Sequence, residues 1–501
     1  MKNGGRLLIL GLDGATFDVI VPMIDRGELP GFARMISRGA SGVLKSTLPP
    51  LTPPAWTAIS TGVNPGKHGL FEFQRVTPDH RLIFNTSRDK LAPDIWDYIP
   101  ERRVISAHLP FSYPPSRING IMVSGMMTPG LHSHHTEPIS VEKEINQRFP
   151  GYRFLISWQK FLGREDMFLS RVSELFGQRL SMFDFLFQRE WDLFLFVIME
   201  IDSAQHCFWA ARTIEELYAR ADALVSRMLE RADSGKFNFM VISDHGFRGV
   251  DRWVHVNSFL EREGYLRFRS PLSAPRAGLE GLVAGLSNRL MDNRMFKKLI
   301  SRVPDSAVEG LFTALGKGEF QKRDEPCPYI WSRTLAFMTS YYGGIYLNRD
   351  SLFHEGTVKS GEVARLKSEI SDLLRGITDP NTGKRVIERV VDTRSIYSGP
   401  ALHWAPDLMA VPAPGYSFSP LPSRRIVTRN NFLNGEHHPD GIFLAYGPDI
   451  SAVRLKPLSA FDIAPTALHA LGARVPDDLD GEVRSEIFAE GSLPARSEPR
   501  Y

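Results

Sequence analysis

The sequence predicts an α/β protein: a doubly wound, mostly parallel sheet with helices on both faces. Three observations predict it. The apolar runs Arg6–Asp13, Leu193–Asp202 and Phe237–Asp244 each close on an aspartate, and unbroken apolar runs suit strands buried on both faces. Stretches of helical periodicity separate such runs, as in βαβ units. Ligands of such sheets gather at the carboxyl ends of the strands, where all three aspartates fall.

Each element follows from local pattern. Residues 6–13 form the opening strand; the run breaks at Gly11–Gly14, too early for a secretory leader and with no small-residue cleavage site behind it. Helical stretches follow over Thr16–Ile24 and Pro30–Arg38, then a strand over Ser41–Thr47 before the proline-rich 48–54. Val104–His108 and Gly120–Val123 read as short strands. Residues 164–190 carry Phe168, Val172, Leu175, Phe176, Leu180, Phe183 and Phe187 at helical spacing, a core-facing stripe. Ile214–Ala232 is the crossover helix to the Phe237–Asp244 strand. Residues 265–335 break the rhythm with basic helical segments and read as an insertion or cap over the sheet edge, its lysines and arginines on a solvated face. Strand-and-turn patterns return from Gly343 to Pro412. The organisation expected is one catalytic domain over 1–490 containing the 265–335 insertion, then a disordered tail over 491–501. No internal repeat is found.

Composition narrows the class. Hydrophobic residues make up 43% and charged residues 23% of 501 residues, an ordinary globular balance. A formal net charge of +3 gives no reason to expect a nucleic-acid polymer as partner. No stretch approaches the roughly 20 apolar residues of a membrane span. The two cysteines, Cys207 and Cys327, exclude a disulfide scaffold and point to a reducing, cytoplasmic setting.

The chemistry lies at the ends of the apolar runs. His206 follows Asp202 by four residues and His245 directly follows Asp244. Three carboxylates and two imidazoles converging at one sheet edge would be costly to bury uncompensated, and a divalent metal cluster is the simplest compensation. Each signal alone has a plainer reading. Asp13 could serve a Gly-Leu-Asp-Gly turn, Asp202 could cap a helix, and Asp244-His245-Gly246 could be a surface turn. Their joint occurrence favours metal. A nucleophile is offered by Thr52, whose Thr-Pro sequence reads as an N-cap and N1 pair opening a helix. A helix N-terminus favours an alkoxide and a bound phosphoryl group. Thr57, one turn later, is the second choice and should face the helix interior.

Taken together, these residues resemble the alkaline phosphatase superfamily, in its type I phosphodiesterase/nucleotide pyrophosphatase branch. The resemblance runs from Leu8–Gly14 through Thr52-Pro-Pro, Thr61–Gly69, Asp202…His206, Ser243-Asp-His-Gly246 and Gly435–Gly441 to Ser459–Thr466 and Leu479-Asp-Gly481. It implies an alkaline-phosphatase-like fold and two divalent metal ions, usually zinc, with manganese the alternative. One ion would be held by Asp202, His206 and His437, the other by Asp13, Thr52, Asp244 and His245. His437 is preferred to His438 because it holds the Gly-x-His position. His68, His255 and His469 match no ligand position. The implied reaction is hydrolysis of a small phosphodiester or pyrophosphate through a phosphothreonine at Thr52. A monoesterase, a mutase or phosphotransferase, and a binding protein without turnover are the rival readings. One residue departs from the pattern: Phe73 stands where the nucleotide pyrophosphatases carry an asparagine that binds a phosphoryl oxygen.

Overall fold

The computed structural model describes residues 5–156, 161, 165–209, 211–269, 325–430 and 433–496. Among these, the central sheet has ten strands. Its middle is parallel: Asn238–Ile242, Leu7–Leu12, Leu193–Ile198, Val104–Ala107 and Gly120–Val123 lie side by side in that order. Asp440–Tyr446 joins antiparallel beside Asn238–Ile242 and carries Ala40–Lys45 on its other edge. The expected doubly wound sheet is present, with this one reversed strand near its centre.

Alternation along the strands explains why both faces are covered. Leu8, Leu10 and Leu12 pack in one core with Phe183, Phe194, Phe196 and the crossover helix Arg212–Ala232, through Leu217, Leu224 and Met228. Leu7 and Ile9 face the other core, with Trp56, Ile59, Leu195, Val197, Ile463 and Leu468. A strand apolar on both sides therefore needs helices on both sides. On the first face, Asp222 of the crossover helix accepts from the Gly31 and Phe32 amides at 3.1 and 2.7 Å. It thereby caps the neighbouring helix Pro30–Arg38.

The register sets the site. Leu12 pairs with Ile198 and Gly11 with Ile242, so the three strands end level. Asp13 follows the first strand at once, Ser243-Asp244-His245 follows the second, and the helix Glu200–Phe208 starts just beyond the third. Beyond His245 the chain continues as the strand Gly246–His255, which pairs with Gly415–Ser419, Val427–Arg429 and Gly435–His438. It leads to a smaller antiparallel sheet of Ala336–Met338, Gly344–Leu347, Leu408–Pro412 and Ile387–Asp392. That sheet shares an apolar core with Leu366, Ile370 and Leu374 of the helix Val363–Arg375. Most of the expected 265–335 insertion lies outside the described residues. Its described margins join this second core through Leu266, Phe268, Tyr329 and Trp331. Of the expected tail, 497–501 lies outside the described residues; Leu493–Arg496 turns one short helix, and the Pro494 carbonyl accepts from His469. No described helix is long and apolar enough to cross a membrane.

Candidate metal centre

Thr52 opens the helix Thr52–Thr61, but as its first helical residue and not as its cap, a position held by Leu51. The correction matters chemically, because the Thr52 hydroxyl has no capping bond to make. Its contact is His245: Oγ1 lies 3.4 Å from Nε2. Pro53 and Pro54 follow, and neither has an N–H. The positive end of the helix therefore faces the site with its dipole but with few backbone donors. Thr57 donates to the Pro53 carbonyl at 2.7 Å inside the helix, as its place one turn later predicts.

The seven predicted residues come together in two adjacent sets. Around His245 Nε2 stand Thr52 Oγ1 at 3.4 Å, Asp13 Oδ1 at 3.5 Å and Asp244 Oδ2 at 3.3 Å. Around His437 Nε2 stand His206 Nε2 at 3.1 Å and Asp202 Oδ1 at 3.2 Å, with Asp202 Oδ1 and His206 Nε2 3.6 Å apart. Four donors held tetrahedrally at zinc–ligand bond lengths stand about 3.3–3.4 Å apart. The three distances from His245 Nε2 and the three within the Asp202/His206/His437 set all lie near that spacing. Among the described residues, Asp13 Oδ1 and Asp244 Oδ2 are moreover buried without a hydrogen-bond partner, and a buried carboxylate oxygen left so is expensive. The residues fit a pair of divalent ions. The imidazoles of His245 and His437 stack at 3.8 Å between centroids, which brings the two sets side by side.

Neighbouring groups hold these donors in place. His245 Nδ1 lies 3.1 Å from the Gly246 carbonyl and His437 Nδ1 3.0 Å from the Pro50 carbonyl. Both histidines thus keep Nε2 for the site, the usual orientation of a ligating imidazole. Phe247 packs edge-on against His206 and His437. Gly435 explains the Gly-x-His motif: a Cβ there would meet the Gln205 carbonyl at 2.2 Å, so only glycine lets this strand pass the Asp202/His206 helix. His438 is not in either set; its Nδ1 accepts from the Asp440 amide. His68, His255 and His469 lie outside both sets, each bonded elsewhere.

Electrostatics reflect the crowding. Burial, then the charges of Asp244 and Asp202, push the Asp13 carboxyl well above its usual range. Asp244 is raised by burial and by Asp202. Burial would also raise Asp202, but His206, His437 and His245 outweigh it and hold it down to about 2. Burial drives His245 well below its usual range, with the His437 charge adding to it. Burial opposes protonation of His437 too, yet the bond to Asp202 and its charge prevail and raise it. A centre of this kind favours protons on Asp13 and Asp244 until a cation replaces them.

Three participants escaped the sequence reading. Trp56 donates from Nε1 to Asp13 Oδ2 at 2.8 Å, leaving Oδ1 for the site. Its i+4 spacing from Thr52 could have flagged it. Gly11 makes room for that indole: a Cβ would fall 2.3 Å from Cη2. Glu436, inside the Gly-x-His motif, also lies among the donors. Phe73, at the position of the missing asparagine, packs on Phe111 and Tyr342, and Tyr342 stacks in turn on His437 at 5.6 Å.

Comparison with known proteins agrees with this geometry. The family model for type I phosphodiesterase/nucleotide pyrophosphatase matches residues 7–440. No curated protein sequence matches the chain. Among solved structures, murine ectonucleotide pyrophosphatase/phosphodiesterase 5, in an inactive form in complex with AMP, superposes with a TM-score of 0.54 at 14% identity, over 97% of this chain and all of the other. The human enzyme of the same name gives 0.53 at 13% identity, over 95% and 97% of the two chains. At such identities these structures establish the fold alone. The match over most of its length places the chain in the type I phosphodiesterase/nucleotide pyrophosphatase family of the alkaline phosphatase superfamily, a family of metal-dependent phosphoester hydrolases.

Proposed function

We propose that the protein hydrolyses a phosphodiester or pyrophosphate bond of a nucleotide-like small molecule in two displacements through Thr52. The observation that carries this is the placing of Thr52 Oγ1 on the edge of the Asp13/Asp244/His245 set, free of any capping duty. Asp13, Asp244, His245 and Thr52 would hold one divalent ion, and Asp202, His206 and His437 the other. Zinc is the preferred identity and manganese the alternative, given the mixed imidazole and carboxylate donors. Bound there, the ions supply Lewis acidity to the attacking and leaving oxygens.

The chain's own residues do the rest. The helix beginning at Thr52 aims the hydroxyl and its dipole at the phosphoryl group. Thr52 Oγ1 bonds to phosphorus as the bond to the ester oxygen breaks, its proton passing through solvent to that leaving oxygen; water then cleaves the phosphothreonine, giving one proton back to Thr52 and its hydroxyl to the phosphate. Trp56 holds Asp13, while the Gly246 and Pro50 carbonyls hold His245 and His437. Phe73 offers no hydrogen bond to a phosphoryl oxygen, so stabilisation falls on the cations and the Thr52 end of the helix. The AMP complex of the murine relative supports a nucleotide-like substrate. The low cysteine content, two in 501 residues, supports a reducing, cytoplasmic setting.

The test is hydrolysis of a chromogenic phosphodiester against the matching monoester, by zinc- and manganese-loaded protein, with Thr52→Ala alongside. Diester turnover lost in the variant is the expected result. Monoester preference would move the protein to a phosphatase or mutase, and full activity in Thr52→Ala would remove the nucleophile.

A further inference from the structure

We propose that Glu436 is an additional carboxylate ligand of the cation assigned to Asp202, His206 and His437. The inference rests on the two-cation reading above. Glu436 occupies the middle position of Gly435-Glu436-His437 and is 7% exposed. One of its oxygens, a ring nitrogen of His206 and a ring nitrogen of His437 all lie within 4.8 Å of one another. To share one ion these donors would draw closer, towards the roughly 3.3–3.4 Å of a tetrahedral set.

The carboxylate is also oriented. Oε1 accepts from the His437 amide at 2.9 Å, and Oε2 accepts from Ser417 Oγ at 2.6 Å. Each oxygen still has a lone pair, since a carboxylate offers about four acceptor sites. Ligating carboxylates are commonly fixed by such hydrogen bonds. A purely structural glutamate would answer its burial with an ion pair, because an isolated buried charge is expensive. Among the described residues Glu436 forms none. Arg248, its cross-strand partner, instead donates to the Pro412 carbonyl. A cation held beside His437 would add to the positive charge that Arg248 and His437 already place near it.

The consequence is a centre of two carboxylates and two imidazoles. Such a set exceeds four-coordination once substrate or water is added, and it accepts manganese as readily as zinc. Each of the two centres would then hold two carboxylates.

Cobalt(II) provides the test, on the full chain stripped of metal and reloaded. Wild type should take up two ions. In Glu436→Gln one of the two should bind about 10–100-fold more weakly, and the visible absorption should intensify as the coordination number falls. Ser417→Ala, which only frees Oε2, should weaken the same ion by a smaller factor. It also serves as the deciding variant if Glu436→Gln does not fold. Unchanged affinity in these variants would overturn the proposal. Weaker binding with an unchanged spectrum would overturn it too, by reducing Glu436 to a group that orients His437. Fewer than two ions in wild type would instead refute the two-cation reading on which the proposal stands.

Discussion

Trp56→Phe is the most informative single change at the centre. It removes one donor, the indole Nε1–H that reaches Asp13 Oδ2 at 2.8 Å, while keeping an aromatic ring against Gly11. In metal-free protein burial and the charges of Asp244 and Asp202 favour the protonated Asp13 carboxyl. The lost bond there is neutral, worth about 0.5–1.5 kcal/mol. With metal bound, Asp13 is ionised and the bond is charge-assisted, worth about 1.5–3 kcal/mol. The void left by the smaller ring destabilises both forms alike and cancels from the comparison. Metal affinity should therefore fall by the difference, about 1–2 kcal/mol, or roughly 5–30-fold. Competition between the protein and a chelator at neutral pH measures this directly, with thermal unfolding of both forms as control. Wild-type affinity in Trp56→Phe would refute the argument that Trp56 tunes Asp13 for a cation.

Other outcomes follow from the same structure. Because Asp13 and Asp244 are raised by burial and by neighbouring carboxylates, metal uptake should release protons and tighten as pH rises. Calorimetry in buffers of different ionisation heat shows this, and pH-independent binding would contradict it. Buried Glu72, bonded by Ser340 Oγ, is pushed up to about 7 by burial. Its folded pKa lies above its unfolded one, so the stability it contributes is full below about pH 4.5 and is lost as pH rises through about 7. That amounts to roughly 3 kcal/mol in metal-free protein, and Glu72→Gln should flatten the profile. Asp222→Ala leaves the Gly31 and Phe32 amides without their acceptor and should cost about 2–3 kcal/mol in thermal unfolding with no change in metal content. Arg179→Leu strands Glu200, its buried partner at 2.8 Å, at a cost of about 3–5 kcal/mol.

The legible parts of the sequence were those where one local pattern has one physical meaning. Leu7–Leu12, Leu193–Ile198 and Asn238–Ile242 are apolar on both sides, so their burial in a parallel sheet could be read directly, and the carboxylates after them inherit the sheet's carboxyl edge. Gly435-Glu-His437 could be placed only through the family resemblance. Its role depends on a pairing, Phe247 with His437, that no local pattern encodes. The reversed strand Asp440–Tyr446 was invisible for the same reason. Thr52 was misplaced by one position because a Thr-Pro pair fits N-cap/N1 and N1/N2 equally well, and only the extended backbone of Leu51 decides. Trp56 and Glu436 touch Asp13 and Ser417, groups remote in sequence, and side-chain identity alone does not announce such contacts.

The two donor sets differ in when the chain can assemble them. Asp13, Thr52, Asp244 and His245 all lie in the first half, at the ends of two paired strands and the start of one helix, so a growing polypeptide holds all four donors once that half has emerged. His437 arrives only with the strand Gly435–His438, which docks against Gly246–His255, long after Asp202 and His206. Synthesis at about 5–20 residues per second separates these events by many seconds. A nascent chain would thus carry a nucleophile without its second cation, and hydrolytic competence would begin only when the last third of the protein has closed over the first.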